Sequence, residues 1–278
     1  MATGEAAGEV GMTGAASGMP SGTATGEVTI RKCEALEEMR ACFALQKEVW
    51  KFADADLIPV RMFVVAAKVG GQVIGAFVAK DDANELVGFA LAIPGMRNGY
   101  CYLHSQMLAV RQQYRNGGLG RRMKLYQREE ALDRGFELME WTFDPLEIKN
   151  AYLNIEKLGA IARRYNVNQY GVTSSPLQGG LPTDRLVAEW WMKSKRVEAV
   201  LADAPRAEFE CRARIEVPAA IYEWKADAAT RAQALAVQGS NRERFQSAFA
   251  EGLSVLGYER DGRGNGQFLL GDWDEARR

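Results

Sequence analysis

The run Leu108-Ala109-Val110-Arg111-Gln112-Gln113-Tyr114-Arg115-Asn116-Gly117-Gly118-Leu119-Gly120-Arg121-Arg122 is the most informative segment of this 278-residue chain. A β-rich stretch ends at Val110, the chain turns through glycines, and a charged amphipathic pattern starts at Leu119. Glycines let backbone N–H groups come close to an anion, and the start of a helix adds unpaired donors and partial positive charge. A pyrophosphate fits such a turn, cradled by Arg115, Asn116, Gly117, Gly118, Leu119, Gly120 and Arg121. The segment is not a nucleoside-triphosphate loop, because no Gly-Lys-Ser/Thr follows. It is not a dinucleotide fingerprint either, because Met123 stands where a third glycine is needed. ATP, GTP and NAD are therefore disfavoured.

Other side chains offer acid–base and binding chemistry. His104 is the only histidine. It lies on the strand entering the glycine turn, and its intrinsic pKa near ~6.5 suits proton removal at neutral pH. The alternative is a histidine packed or hydrogen-bonded between strands. If strict alternation holds, His104, Gln106 and Leu108 line one face of the strand. Glu140 sits inside the β-rich run Phe136 to Phe143, where it is either a base of raised pKa or the partner of a basic helix residue. Asp144 precedes Pro145 and either starts a turn or contacts substrate at the carboxyl end of that strand. Arg185 either clamps a carboxylate bidentately or forms a salt bridge with Asp184 or another acid. Trp141, Trp190 and Trp191 read as core or interface.

These residues need a scaffold, and its elements can be read from periodicity and breakers. Met1 to Gly26 is rich in Gly, Ala, Thr and Ser, without bulky apolar periodicity, and reads as a flexible tail. Glu27 to Lys32 predicts a strand and Ala35 to Trp50 a helix. Pro59 to Val69 favours a second helix, with a strand as the alternative. Val73 to Ala79, Leu86 to Ile93 and Tyr100 to Val110 predict an antiparallel meander, broken at 81–84 and 94–99. Leu119 to Arg134 predicts a helix closed by Gly135, Phe136 to Phe143 a strand, and Asn150 to Leu158 a short helix closed by Gly159. Strand, glycine turn, helix, strand makes a parallel crossover. Ala162 to Tyr170 and Arg185 to Trp191 are further strands. From about Ala204 a smaller α/β appendix follows, with strands at 212–217, 254–259 and 267–270 and helices at 227–237 and 241–251. The expected organisation is thus a tail (1–26), an α/β domain (27–203) with a mixed central sheet and flanking helices, and the appendix (204–278).

The 35 basic and 36 acidic residues nearly cancel, so no large field draws in nucleic acid or anionic lipid. Cys33, Cys42, Cys101 and Cys211 lack CxxC pairing, which disfavours a zinc site or disulfide framework. No stretch approaches the ~18 apolar residues of a membrane span, and the N-terminus lacks a secretory pattern. No metal and a cytoplasmic location are the expectations.

The glycine segment resembles the signature of the GNAT superfamily, Val-x-Pro-x-Tyr/Phe-Arg/Gln-x-x-Gly-x-Gly/Ala. Val110, Tyr114, Arg115, Gly118 and Gly120 match it, with Gln112 in place of Pro. A second family element, Glu-Lys-x-Gly-Phe, is matched by Glu156-Lys157-Leu158-Gly159, with Ala160 in place of Phe and Asn150 upstream. The element order from Glu27 to about Trp191 is also similar to that fold. The resemblance implies direct acyl transfer from acetyl-CoA or another acyl-CoA to an amine. The backbone at Leu108, Ala109 and Val110 is then expected to pair with the pantetheine arm between splayed strands, and Asn150 to touch the cofactor. His104 is then a candidate base, with Glu140 as the other. The family's usual general-acid tyrosine falls on Ile155, which leaves Tyr152 as the nearest replacement. Leu103-His104-Ser105 and Trp141 to Leu146 resemble a branch that acts on small amines such as amino acids, with succinyl among the acyl groups. A homodimer stays open. The alternatives are a non-catalytic acyl-CoA-binding module and, third, a purely structural α/β protein assembling through strand edges.

Overall fold

The computed structural model describes residues 27–274 apart from 81, 82, 98, 172, 176 and 177; the tail expected at 1–26 lies outside the described residues. The order is β1 (Val28–Lys32), α1 (Leu36–Trp50), a 3₁₀ turn (Asp54–Asp56), α2 (Val60–Lys68), β2 (Gln72–Lys80), β3 (Ala83–Arg97) and β4 (Tyr100–Val110). A second 3₁₀ turn (Gln112–Tyr114) leads to α3 (Leu119–Asp133), β5 (Leu138–Phe143), α4 (Ile148–Tyr152) with a π-type turn (Leu153–Lys157), β6 (Ile161–Asn166) and β7 (Arg185–Trp191). Then follow α5 (Lys195–Leu201), β8 (Ala213–Val217), α6 (Ile221–Ala226), α7 (Arg231–Ala250), β9 (Leu253–Arg260) and β10 (Gly266–Asp272).

The strands form one sheet in the order β1-β2-β3-β4-β5-β7-β6-β9-β10-β8. β4 and β5 run parallel, as the crossover through α3 requires, and the remaining neighbours are antiparallel. This is the mixed α/β architecture expected. α1 and α2 cover one face, where Cys42, Leu45 and Phe63 pack on Phe89, Met107 and Ala109. α3 covers the other with Leu119 and Met123 on Ile74, Ala76 and Ala90. On that second face α4, α5 and α7 extend the core over β5 to β10, through Trp190, Ile155, Val197 and Phe245. Segment 204–274 joins the same sheet by a single ladder pair, Ala162 with Val255. Lys225 Nζ further ties it down at 3.0 Å from Asp144 and 2.9 Å from Glu147. Among the described residues no helix is long and apolar enough to cross a membrane.

Several sequence expectations are corrected. β3 does not stop at Ile93 but runs on through Pro94 and Gly95 to Arg97, because β4 pairs with it as far as Tyr100 and Gly95 lies against the Tyr102 ring. β6 ends at Asn166 rather than Tyr170. The two C-terminal helices are one, α7, which runs through Gly239 because Ala234, Gln238, Asn241, Phe245 and Ala248 keep one stripe buried. Helices α5 and α6 were not read from the sequence.

Candidate functional site

β4 and β5 are joined at only two ladder pairs, Leu103 with Met139 and His104 with Glu140. Beyond them β4 continues to Val110 and β5 to Phe143 with no further pair between them. The strands therefore part toward their carboxyl ends, where parallel sheets collect ligands.

At the open end the chain passes Asn116 (φ 66°) and Gly118 (φ 79°) before α3 begins. Left-handed backbone at Gly118 aims the first turn of α3 into free space: a Cβ added at Gly117 or Gly118 would meet nothing within 4 Å. At Gly120 it would meet only Leu108, at 3.4 Å. The first N–H groups of an α-helix have no intrahelical acceptor, so they point outward as anion donors. Arg115 Nε donates to Val110 O at 2.8 Å, which folds the turn back on β4. Arg121 Nε reaches Lys157 O at 3.3 Å, linking the first turn of α3 to the π-type turn after α4. Arg115, Asn116, Gly117 and Gly118 are exposed, as is Asn150 on α4, while Leu119 is buried.

His104 does not share a face with Leu108. β3 pairs Leu91 with Met107 but Ala92 with Ser105, so Gln106 is an extra residue in β4. Such a bulge reverses the alternation. Leu108 packs with the α3-side core, and before the bulge Ser105 takes that side, bonding Lys124 and Gln127 of α3. His104 is left on the opposite face beside Glu140. This corrects the expectation that His104, Gln106 and Leu108 line one surface.

His104 is half-buried. Burial pushes its pKa below the usual value, helped by the charges of Lys124 and Arg164 and opposed by Glu140 and a hydrogen bond with Gln106. The ring is thus held neutral and able to accept a proton at neutral pH. Glu140 is 2% exposed and ion-paired with Arg97 and with Arg164, the latter at 2.7 Å. Its partners come from strands β3 and β6, not from a helix. Glu189, paired with Glu140 across β5 and β7, is held by Arg163 at 3.0 Å and Arg164 at 3.1 Å. Burial raises its pKa, but the two guanidinium groups outweigh that and hold it below the ordinary carboxylate value.

Register places Thr142 and Arg185 on the same face as Glu140 and Glu189. Thr142 Oγ1 meets Tyr170 OH at 3.0 Å, and the Arg185 guanidinium lies 5.6 Å from the Tyr170 ring centre. Arg185 also donates to Gln178 Oε1 at 3.2 Å and to the Asp184 carbonyl at 2.9 Å. The Asp184 carboxylate goes instead to Arg242 at 2.8 Å.

His104, Glu140 and Arg185 are thus brought onto one face. Asp144 and Tyr152 are not. Asp144 is buried, accepting from Leu146 N at 2.8 Å and holding Lys225. Tyr152 sits between Lys157 and Arg260 and lines a cavity of about 560 Å³ with Glu216, Tyr258, Asn265 and Gln267. Ile155 is fully buried in the core. Sequence reasoning missed Lys124, whose only sign was a lysine next to the stripe Leu119, Met123, Gln127, Ala131. It also missed Arg97, Arg164 and Glu189, which become partners only through long-range pairing.

Residues 34–151 match the model of the acetyltransferase (GNAT) family. No curated protein matches the chain. Among solved structures, the ribosomal-protein-S18-alanine N-acetyltransferase of Escherichia coli is 16% identical, with 59% of this chain and 92% of that one covered and a TM-score of 0.44. The yncA protein of Salmonella typhimurium, solved with its cofactor acetyl-CoA, gives 16%, 60%, 94% and 0.48. Arabidopsis thaliana NAA60, in complex with a bisubstrate analogue, gives 11%, 59%, 99% and 0.48.

Proposed function

We propose that this chain, whose residues 34–151 match the model of the acetyltransferase (GNAT) family, moves an acyl group from acyl-CoA to the amine of a small molecule such as an amino acid. One observation carries the reading: β4 and β5 part directly beyond His104 and Glu140, with the glycine turn on one face of the gap and a neutral histidine on the other. The pyrophosphate is held by the N–H groups of Gly117 to Arg121, with Arg115, Asn116 and Asn150 alongside. The pantetheine arm runs along Leu108 to Val110, which puts the thioester at the closed end of the gap.

The acceptor enters from the His104 face. His104 takes the amine proton as nitrogen attacks the thioester carbonyl. Glu140, neutralised by two arginines, positions that neighbourhood rather than serving as the base. Arg185, on the same face and beside Tyr170, fits a carboxylate on the acceptor or on a succinyl group. Asp144 and Tyr152 lie against the C-terminal segment and keep no contact with acceptor in this reading. Release of CoA thiol from acetyl-CoA and succinyl-CoA, measured against a panel of amino acids and polyamines, tests it. Turnover with amino acids that falls in Arg185→Gln supports the acceptor assignment. CoA binding without thiol release on any amine favours a binding module instead.

A further inference from the structure

Lys124 is a buried lysine without a counter-charge among the described residues. It is 4% exposed and lies on the second turn of α3. Its ammonium bridges the two parting strands: Nζ is 2.7 Å from Ser105 Oγ on β4 and 3.9 Å from the centre of the Trp141 ring on β5. Ser105 and Trp141 directly follow the last pair that joins those strands, His104 with Glu140. The ammonium therefore stands at the apex of the gap, on the face where the glycine turn opens.

An ammonium has three N–H donors. Among the described residues Ser105 Oγ is the one atom that accepts from it, and no carboxylate lies within ion-pair distance. The neighbours on that face are spoken for. Gln127 of α3 and Gln72 of β2 are neutral and bind each other. Arg128 donates to Met192 O. Glu130, farther along α3, is held by Lys32, Arg134 and Gln72. Through the sheet, the other face carries His104, Glu140 and Glu189, the two carboxylates held by Arg97, Arg163 and Arg164, with Arg185 farther along β7. Burial without a counter-charge pushes the Lys124 ammonium down to about 7, while the ring beneath it favours the charged form. Such a group is both charged and ready to give up its proton near neutral pH.

We propose that Lys124 is the proton donor to the CoA sulfur as it leaves, which rests on the acyl-CoA reading above. A pyrophosphate at the glycine turn and an acceptor at His104 lie on opposite faces, so the thioester must reach the apex where Lys124 stands. The amine nitrogen bonds to the carbonyl carbon and passes its proton to His104. When the tetrahedral adduct collapses, the C–S bond breaks, sulfur keeps the electron pair, and a proton moves to it from Lys124. Amine plus thioester gives amide plus thiol. The proton on His104 goes to solvent and Lys124 regains one from solvent.

The test is the pH dependence of kcat, followed by thiol release, for the wild-type protein, Lys124→Met and Lys124→Arg, with CoA affinity measured by calorimetry. In the wild-type protein kcat should fall as pH rises above ~7, as Lys124 loses its proton. Lys124→Met should lose ~10²-fold in kcat and lose that alkaline limb, with CoA affinity unchanged within about threefold. Lys124→Arg keeps the charge but holds its proton throughout, so it should lose the limb too. Wild-type-like kcat in Lys124→Met, or an unaltered alkaline limb, overturns the proposal and leaves the acyl-CoA reading standing. Absence of CoA binding by the wild-type protein overturns both. If neither variant folds, the wild-type profile decides: a kcat that stays flat or rises through the alkaline range overturns the assignment.

Discussion

The two faces of the sheet at the β4–β5 junction handle charge in opposite ways. On the His104 face Glu140 and Glu189, 2% and 1% exposed, are each met by two arginines. On the α3 face Lys124, nearly as deeply buried, is met by a hydroxyl and an aromatic ring. Buried ions persist when paired, and an unpaired one tends toward its neutral form. The first face therefore holds fixed charges that shape a site. The second holds a group whose charge depends on pH.

His104→Gln should break the first face functionally with the largest effect, lowering turnover by ~10²-fold while CoA affinity, which the proposed function seats on the other face, hardly changes. Burial lowers the His104 pKa, so the wild-type acidic limb should lie below pH ~6.5 and be absent from the variant. Normal turnover with the same limb would remove His104 from the mechanism. Gly120→Asp should do the reverse. Its Cβ fits 3.4 Å from Leu108, but its charge would face the pyrophosphate of the proposed site, so calorimetry should show CoA affinity down by ~50-fold in a folded protein.

A smaller effect is expected from Glu140→Ala, which leaves Arg97 and Arg164 without their shared partner. Each arginine is about a third exposed (35% and 36%) and can turn to water. Urea unfolding should therefore show a loss of about 2 kcal/mol, below the ~3–5 of a wholly buried pair. Lys124→Met should move stability the other way and least, by about +1 kcal/mol at pH 6. The Lys124 pKa is lower in the fold, about 7 against 10.5, so the unfolded chain binds more protons between those values. The Lys124 penalty is full below pH 7 and fades as pH rises toward 10.5. The gain from Lys124→Met should accordingly shrink at pH 9. Glu189 has the opposite sign: its stabilisation is present above its ordinary pKa and is lost as pH falls through its depressed value. A Lys124→Met protein that is less stable at pH 6 would contradict the contrast between the faces.

What could be read from sequence depended on how local the cause was. Gly118, Gly135 and Gly159 all adopt positive φ at helix boundaries, and they were visible as breakers because the constraint sits within the turn itself. Gly239 misled because α7 is held by tertiary burial, which overrides local propensity. The Gln106 bulge was invisible from β4 alone, since it exists only in the register against β3. Likewise Glu140 finds Arg97 and Arg164 across 43 and 24 residues of chain. The arginines were in plain view, but their convergence was not.

That one additional residue at 106 gives β4 a change of parity. Counting from Val110 backward, even numbers mean one side of the sheet as far as the bulge and the other side after it. One continuous strand thus carries Leu108 toward the glycine turn and His104 toward the opposite face without any crossing of the backbone. Taking Gln106 into the ladder in place of the bulge would restore simple counting and deliver His104 to the side now held by Ser105, in contact with α3. It would also turn Leu103, now fully buried, out of its core. The proposed separation of donor side from acceptor side in this sheet is, in that sense, stored in an odd number of residues.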